Sequence, residues 1–194
     1  MILTRLQRLA LVALAGALLT SCGTSAPIRY YTLAEIPADS GAVATASGPP
    51  LRIERVSIPA ELDRLGVSWH VAANRVEIAD QDRWAAPLEE MIRRTLSADL
   101  SARLPAGSVV DPHEPPTTEP RRVLFVQIGS LYADERCAVT LDAHWTLETT
   151  GAPARRASES VAAAPVAPCP GGLAAGLSRA LADLSDKLAQ ALAR

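Results

Sequence analysis

From Val139 to Glu148 apolar and polar side chains alternate, and a chain containing such a run must build a sheet with one dry side and one wet side. Cys137, Val139, Leu141, Ala143, Trp145 and Leu147 fall on one face, and Thr140, Asp142, His144, Thr146 and Glu148 on the other. The dry face needs a cover. Two helical stripes can supply it: Trp84, Leu88, Ile92, Leu96, Leu100 and Leu104 recur every four residues with Met91 alongside, and Leu173, Leu177, Leu181, Leu184, Leu188 and Leu192 run towards the end of the chain. Pro87 is compatible only with the first turn of the earlier helix, and Pro105 and Gly107 stop it. One-sided helices and strands bury their apolar faces only against one another, so the expected fold is a single α/β domain. A mixed β-sheet is packed with two main amphipathic helices, one over about 84–104 and one at the end of the chain.

Further strand signals lie at Tyr30–Leu33, at Leu51–Ile58 before Pro59, at Val67–Val71 with Val67, Trp69 and Val71 on one face, and at Arg75–Ala79. Val123–Ile128 is apolar at both parities and reads as an interior strand covered on two sides, joined through a turn at Ala133-Asp134-Glu135 to the alternating strand. Residues 155–161 suggest an edge strand. Residues 37–50 are almost all Ala, Gly, Ser, Pro and Thr, which bury too little apolar area to offset the entropy of ordering them, and read as a mobile loop. The charged, proline-rich run at 111–120 reads as an exposed loop.

The beginning of the chain is of another kind. Arg5 and Arg8 precede an apolar run from Leu9 to Leu19, too short for a permanent span but suited to a secretory signal. Leu19-Thr20-Ser21-Cys22 then resembles the lipobox of bacterial lipoproteins, in which the chain is cut before a cysteine that carries diacylglycerol. The expected organisation is a signal peptide at 1–21, a lipidated tether at 22–29 with the lipid on Cys22, and a folded domain at 30–194. Removing 21 of 194 residues leaves 173, and the formal charge moves from −2 to −4 because Arg5 and Arg8 leave with the signal. A mildly acidic chain without a basic run is a poor partner for nucleic acid. Two cysteines remain for an oxidising compartment, Cys137 and Cys169; a disulfide between them is expected, across a loop of about thirty residues, with two buried free thiols as the alternative.

Taken in order, several stretches resemble the ABC-type transport auxiliary lipoproteins. They are Tyr30-Tyr31-Thr32-Leu33 soon after the lipid cysteine, Leu51–Pro59 with Leu62 following, Trp84-Ala85-Ala86-Pro87-Leu88, the hairpin ending in Trp145 and the alanine- and leucine-rich terminal helix. The resemblance implies that residues 30–194 form the domain of that family. It also implies a lipoprotein of the cell envelope that faces the periplasm, and Gly23 after the lipid cysteine, where an aspartate commonly signals retention at the inner membrane, points to the outer membrane. There it would work with an MCE-domain protein and an ABC permease that move lipids or other hydrophobic molecules. A lipid-binding shuttle with its own hydrophobic pocket is the alternative.

An enzyme would need a nucleophile with its base, tuned carboxylates or a metal cluster. His70, His113 and His144 are scattered without zinc-ligand spacing, there is no phosphate loop, and Lys187 is the only lysine. His144 with Asp142 and Thr140 matches the solvated side of a strand better than a polar site. Trp69 and Trp84 are expected in the core rather than at an interface. No catalytic residue, metal or cofactor is expected, and the loops at 37–50 and 111–120 are the better interface candidates.

Overall fold

The computed structural model describes residues 26–38, 48–111, 113–115 and 122–193. The signal segment, Cys22, residues 39–47 of the first loop, and residues 112 and 116–120 of the second lie outside the described residues. The elements are β1 (Arg29–Tyr31), β2 (Leu51–Ser57), β3 (Gly66–Ala72), β4 (Arg75–Trp84), α1 (Leu88–Arg103), β5 (Arg122–Ala133), β6 (Val139–Thr149), β7 (Ala152–Ala163) and α2 (Gly171–Leu192).

β5 organises a mixed seven-stranded sheet. On one side β6 pairs antiparallel along its whole length, from Arg122↔Thr149 to Ala133↔Val139, and β7 pairs antiparallel with β6. On the other side two strands lie end to end. β2 runs parallel to Arg122–Gln127, and β3 joins at His70↔Tyr132. β3 carries the sheet outward through antiparallel β4 to the short parallel β1. The alternation read from β6 has its physical meaning here: Val139, Leu141, Ala143, Trp145 and Leu147 are buried under the helices.

Both helices cover that single face. Leu88, Met91, Ile92, Leu96 and Leu100 of α1, and Leu173, Leu177, Leu181, Leu184 and Leu188 of α2, are at most 1% exposed and form one core with Leu51, Ile53, Leu124 and Leu141 of the sheet. Among the described residues no helix is long and apolar enough to cross a membrane.

Three expectations need correction. Trp84 does not open the helix: it ends a ten-residue β4, longer than the Arg75–Ala79 strand expected, and α1 begins at Leu88 with Pro87 as its N-cap. Trp84 fits the four-residue spacing because the strand end and the helix bury side chains in the same core, where it is 1% exposed. β5 is interior to the sheet but covered on one side only. Leu124, Val126 and Ile128 are buried, whereas Val123 and Phe125 are half-buried and Gln127 is exposed. Third, His70 and Ser68 are buried along with Val67 and Trp69, so β3 has no wet side at its centre. The edge strand at 155–161 is present and longer, as β7.

Two local features fix how α2 sits. Cys137, in the left-handed region at φ 65°, is joined by a disulfide to Cys169, 32 positions along the chain, with Cα atoms 5.4 Å apart. The bond ties the β5–β6 turn to the approach of α2. Gly176 then faces β6 so closely that an added Cβ would stand 2.6 Å from Cγ2 of Val139.

Gly176→Ala is therefore expected to destabilise the fold by about 1–3 kcal/mol through overpacking, against a gain of under about 1 kcal/mol in helix propensity. Adding Val139→Ala should recover part of the loss in urea unfolding. If Gly176→Ala matches the parent, the close approach has no energetic weight. Reducing the disulfide is expected to cost about 2–4 kcal/mol; two reactive thiols in the denatured, unreduced chain would remove its basis.

Candidate functional site

Residues 29–36, a few positions beyond the expected lipid cysteine, are held by the folded body along a continuous seam. Arg29 of β1 donates from Nε and Nη2 to the two carboxylate oxygens of Asp82, at 2.7 and 2.9 Å. The Tyr31 hydroxyl also helps to hold that carboxylate ionised. The Tyr31 carbonyl accepts from the Ala85 N–H at 2.8 Å. Beyond the strand, where no ladder remains to satisfy the backbone, the helices take over. The Ala34 N–H donates to Ser178 Oγ of α2 at 3.0 Å, and Ser178 in turn donates to the Ala174 carbonyl.

Ile36 is held at both of its peptide groups by one face of α1. Its N–H donates to Asp99 Oδ1 at 2.9 Å, and its carbonyl accepts from Arg103 Nη1 at 3.0 Å. Asp99 and Arg103 are four residues apart and so lie one turn above the other. Arg103 is almost fully buried, and its Nε donates to Asp186 of α2 at 2.6 Å. One arginine thus joins the N-terminal segment, α1 and α2. Leu33, 8% exposed, fills the core between these polar ties.

Burial sets the electrostatics of the seam. Desolvation lifts the Asp99 carboxyl from 3.8 to about 6, opposed by the Ile36 N–H and the Arg103 charge and reinforced by Glu35 and Asp186. Its second oxygen, Oδ2, is buried without a hydrogen-bond partner. Asp82 moves the other way. The hydrogen bond from Arg29 holds it below its usual value, against desolvation, with help from Tyr31.

The sheet face away from the helices carries His144, one of the three histidines that the sequence offers as site candidates. His144 is exposed, with Nδ1 at 2.6 Å from Ser158 Oγ. Its ring lies over Gly129, where an added Cβ would stand 3.4 Å from Nε2. Asp142 is occupied separately, accepting from Ser130 Oγ at 2.6 Å, and that bond together with one from Ser160 holds its carboxyl below the usual range. Serine, histidine and aspartate are thus neighbours, but the aspartate is committed to other hydroxyls. His70 lies elsewhere, with Nε2 3.2 Å from Glu61, Nδ1 3.3 Å from the Leu131 carbonyl and its ring 5.1 Å from that of Tyr132. His113 is on an exposed loop. The three are not brought together, and no group of three or more His, Cys, Asp or Glu among the described residues is arranged to hold a metal ion. Trp69 and Trp84 are core residues, 6% and 1% exposed. Sequence reasoning missed the seam. The only available signal was the α1 pair Asp99 and Arg103, which counts as ordinary surface charge until the N-terminal segment is laid across it.

Fold and seam together define an α/β domain that incorporates its own N-terminal segment as a structural part. Residues 31–189 match the family model described as ABC-type transport auxiliary lipoprotein component, and the chain belongs to that family. It is 31% identical over 100 residues to the intermembrane transport lipoprotein PqiC of Escherichia coli strain K12. The same identity holds for the PqiC lipoprotein of Shigella flexneri. Each alignment covers 51% of this chain and 54% of the relative, so the match spans about half the length of these curated relatives. Among solved structures, an uncharacterized protein superposes with a TM-score of 0.71 at 22% identity, covering 86% of this chain and 99% of its own. A Xanthomonas campestris protein does so at 0.60 and 15%, covering 84% and 92%. These two likenesses speak for the fold. Family membership agrees with the resemblance read from the sequence and makes the chain a transport auxiliary lipoprotein, a component of the cell envelope.

The seam has a pH signature. Because Asp99 titrates in the folded chain near 6, above its ordinary 3.8, the buried carboxylate weakens the fold at neutral pH, and its contribution to stability rises as pH falls from about 6 towards 4. Asp82 and Asp142, held low, have the opposite sign: their contributions are complete above the ordinary value and are lost only as pH falls through their lower folded-state values. Asp99→Asn keeps an acceptor for the Ile36 N–H and removes the charge. Urea unfolding should then show equal or greater stability at neutral pH and no rise between about pH 6 and 4. A parent protein already flat across that window would reject the assignment.

Proposed function

We propose that this chain is a non-catalytic docking subunit of an envelope lipid-transport system, lipidated on Cys22 and held at the outer membrane facing the periplasm. In this reading it works with an MCE-domain protein and an ABC permease. Residues 1–21 are the signal, 22–29 the tether and 30–194 the working domain. The observation that carries the reading is the seam. A tether that ended in a loose segment would let the body swing free, whereas here Arg29, Ala34 and Ile36 are bonded to β4, α2 and α1 in turn. From Arg29 onward the segment therefore moves with the domain, as a docking component requires.

The shuttle alternative draws less support. A lipid carrier encloses its cargo in an apolar cavity. The space between sheet and helices here is filled by leucines at most 1% exposed. A 330 Å³ cavity is lined by Arg103, Arg179, Asp183 and Asp186 beside Ile36, Pro37 and alanines, and one of 390 Å³ by Glu35, Arg94, Asp111 and His113 among others; neither is the continuous apolar wall that suits a lipid chain.

The test uses the full chain in cells. Cys22→Ala is expected to leave an uncut precursor or release the domain in soluble form, with loss of transport. Single changes at His70, His113 or His144 should leave transport nearly intact. The lipidated protein should co-purify with the MCE protein. Full transport without Cys22 would favour a shuttle, and complete loss on changing one histidine would favour an enzyme.

A further inference from the structure

Large apolar side chains are exposed at few places among the described residues, and those places are not scattered. Of Ile28, Tyr30, Leu65, Ile78 and Val166, the first four gather at one corner of the sheet, at 50%, 68%, 61% and 48% exposure, so the corner is a patch rather than incidental surface. Register shows why they meet. Tyr30 of β1 pairs with Arg83 of β4, and Arg83 pairs with Gly66 of β3, so the three lie in a row across the sheet. Ile78 bends over Gly66, its Cγ2 3.2 Å from where a Cβ would be, in space that any side chain at position 66 would fill. Ile28, two residues before Tyr30, follows on the same face. Leu65 borders Gly66, and its carbonyl accepts from the Trp84 N–H.

We infer that this corner rests on the membrane surface, with Ile28, Tyr30, Leu65 and Ile78 entering the headgroup layer of the leaflet that holds the anchor. The inference rests on the lipid-anchor reading of Cys22. Only six residues, 22–27, separate the start of the mature chain from Ile28, and fully extended they reach about 20 Å. The first large apolar side chain after the lipid is therefore confined near the bilayer, and because β1 is locked to β4 by Arg29 and Asp82, the rest of the corner is confined with it. Tyrosine, with an apolar ring and a polar tip, suits that depth. Each side chain adds a modest increment of burial to an anchor already in place, which orients the body rather than capturing it.

The experiment uses the acylated full chain in vesicles of phosphatidylethanolamine and phosphatidylglycerol doped with a brominated phosphatidylcholine. With Cys22 acylated and Cys137 paired to Cys169, Leu65→Cys offers a single thiol for an environment-sensitive fluorophore. Gln190→Cys, exposed on α2, serves as the distant control. The label at 65 should shift to the blue and be quenched by the brominated lipid, and the label at 190 should not. Adding Ile28→Ser, Tyr30→Ser and Ile78→Ser, all at exposed positions, should abolish the quenching while the protein still floats with the vesicles. An unquenched label at 65, or quenching that survives the triple change, overturns the inference. So does a label shielded from aqueous iodide yet untouched by brominated lipid, since that means a second copy or a protein partner covers the corner. An intact mass without acyl groups refutes the anchor reading instead, and the same labels on that unacylated chain mixed with vesicles then decide the corner on their own.

Discussion

Arg103 is the tie on which the arrangement depends. An arginine inside a helix–helix interface is expensive to desolvate unless each donor group finds an acceptor. Here the acceptors come from three different parts of the chain: Asp186 on α2, the Asp99 carbonyl on α1 and the Ile36 carbonyl on the N-terminal segment. The charge thus converts a desolvation penalty into a requirement for correct assembly. If the N-terminal segment left, Arg103 and Asp99 would each lose a partner while remaining between the helices. The segment is therefore a member of the core, and Leu33 adds apolar burial to the polar ties.

The same asymmetry shapes the sheet. Both helices cover one face, so the strands keep their leucines and valines on that side and leave the other to hydroxyls, Asp142 and His144. Close contact on the covered side is secured by absence of side chain: Gly176 lets α2 approach Val139, and the disulfide fixes where the helix begins. On the open side another glycine acts in the reverse sense, since Gly66 makes room for Ile78 to lie outward rather than in the core. The fold thereby has a half covered by helices and an open half.

Much of the architecture was legible because burial imposes a period. The β6 alternation, the leucine stripes of α1 and α2 and the edge position of β7 follow from which side chains can share a dry face. Period alone misassigned Trp84, because a strand end and the following helix can point into one core and mimic a single helical spacing. It also took β5 as covered on both sides, since half-buried Val123 and Phe125 are indistinguishable in sequence from buried residues.

The amino-acid order by itself determined the one-sidedness of the elements and the resemblance to a lipoprotein family, because hydrophobic periodicity and short motifs are local properties of the chain. The tertiary structure alone decided that Asp99 and Arg103 grip Ile36, that Asp82 holds Arg29, and that Ile28, Tyr30, Leu65 and Ile78 share a corner. Those contacts join residues about fifty to seventy positions apart or align three strands in register. A charged residue in a sequence carries no mark of which distant backbone group will satisfy it once water is removed.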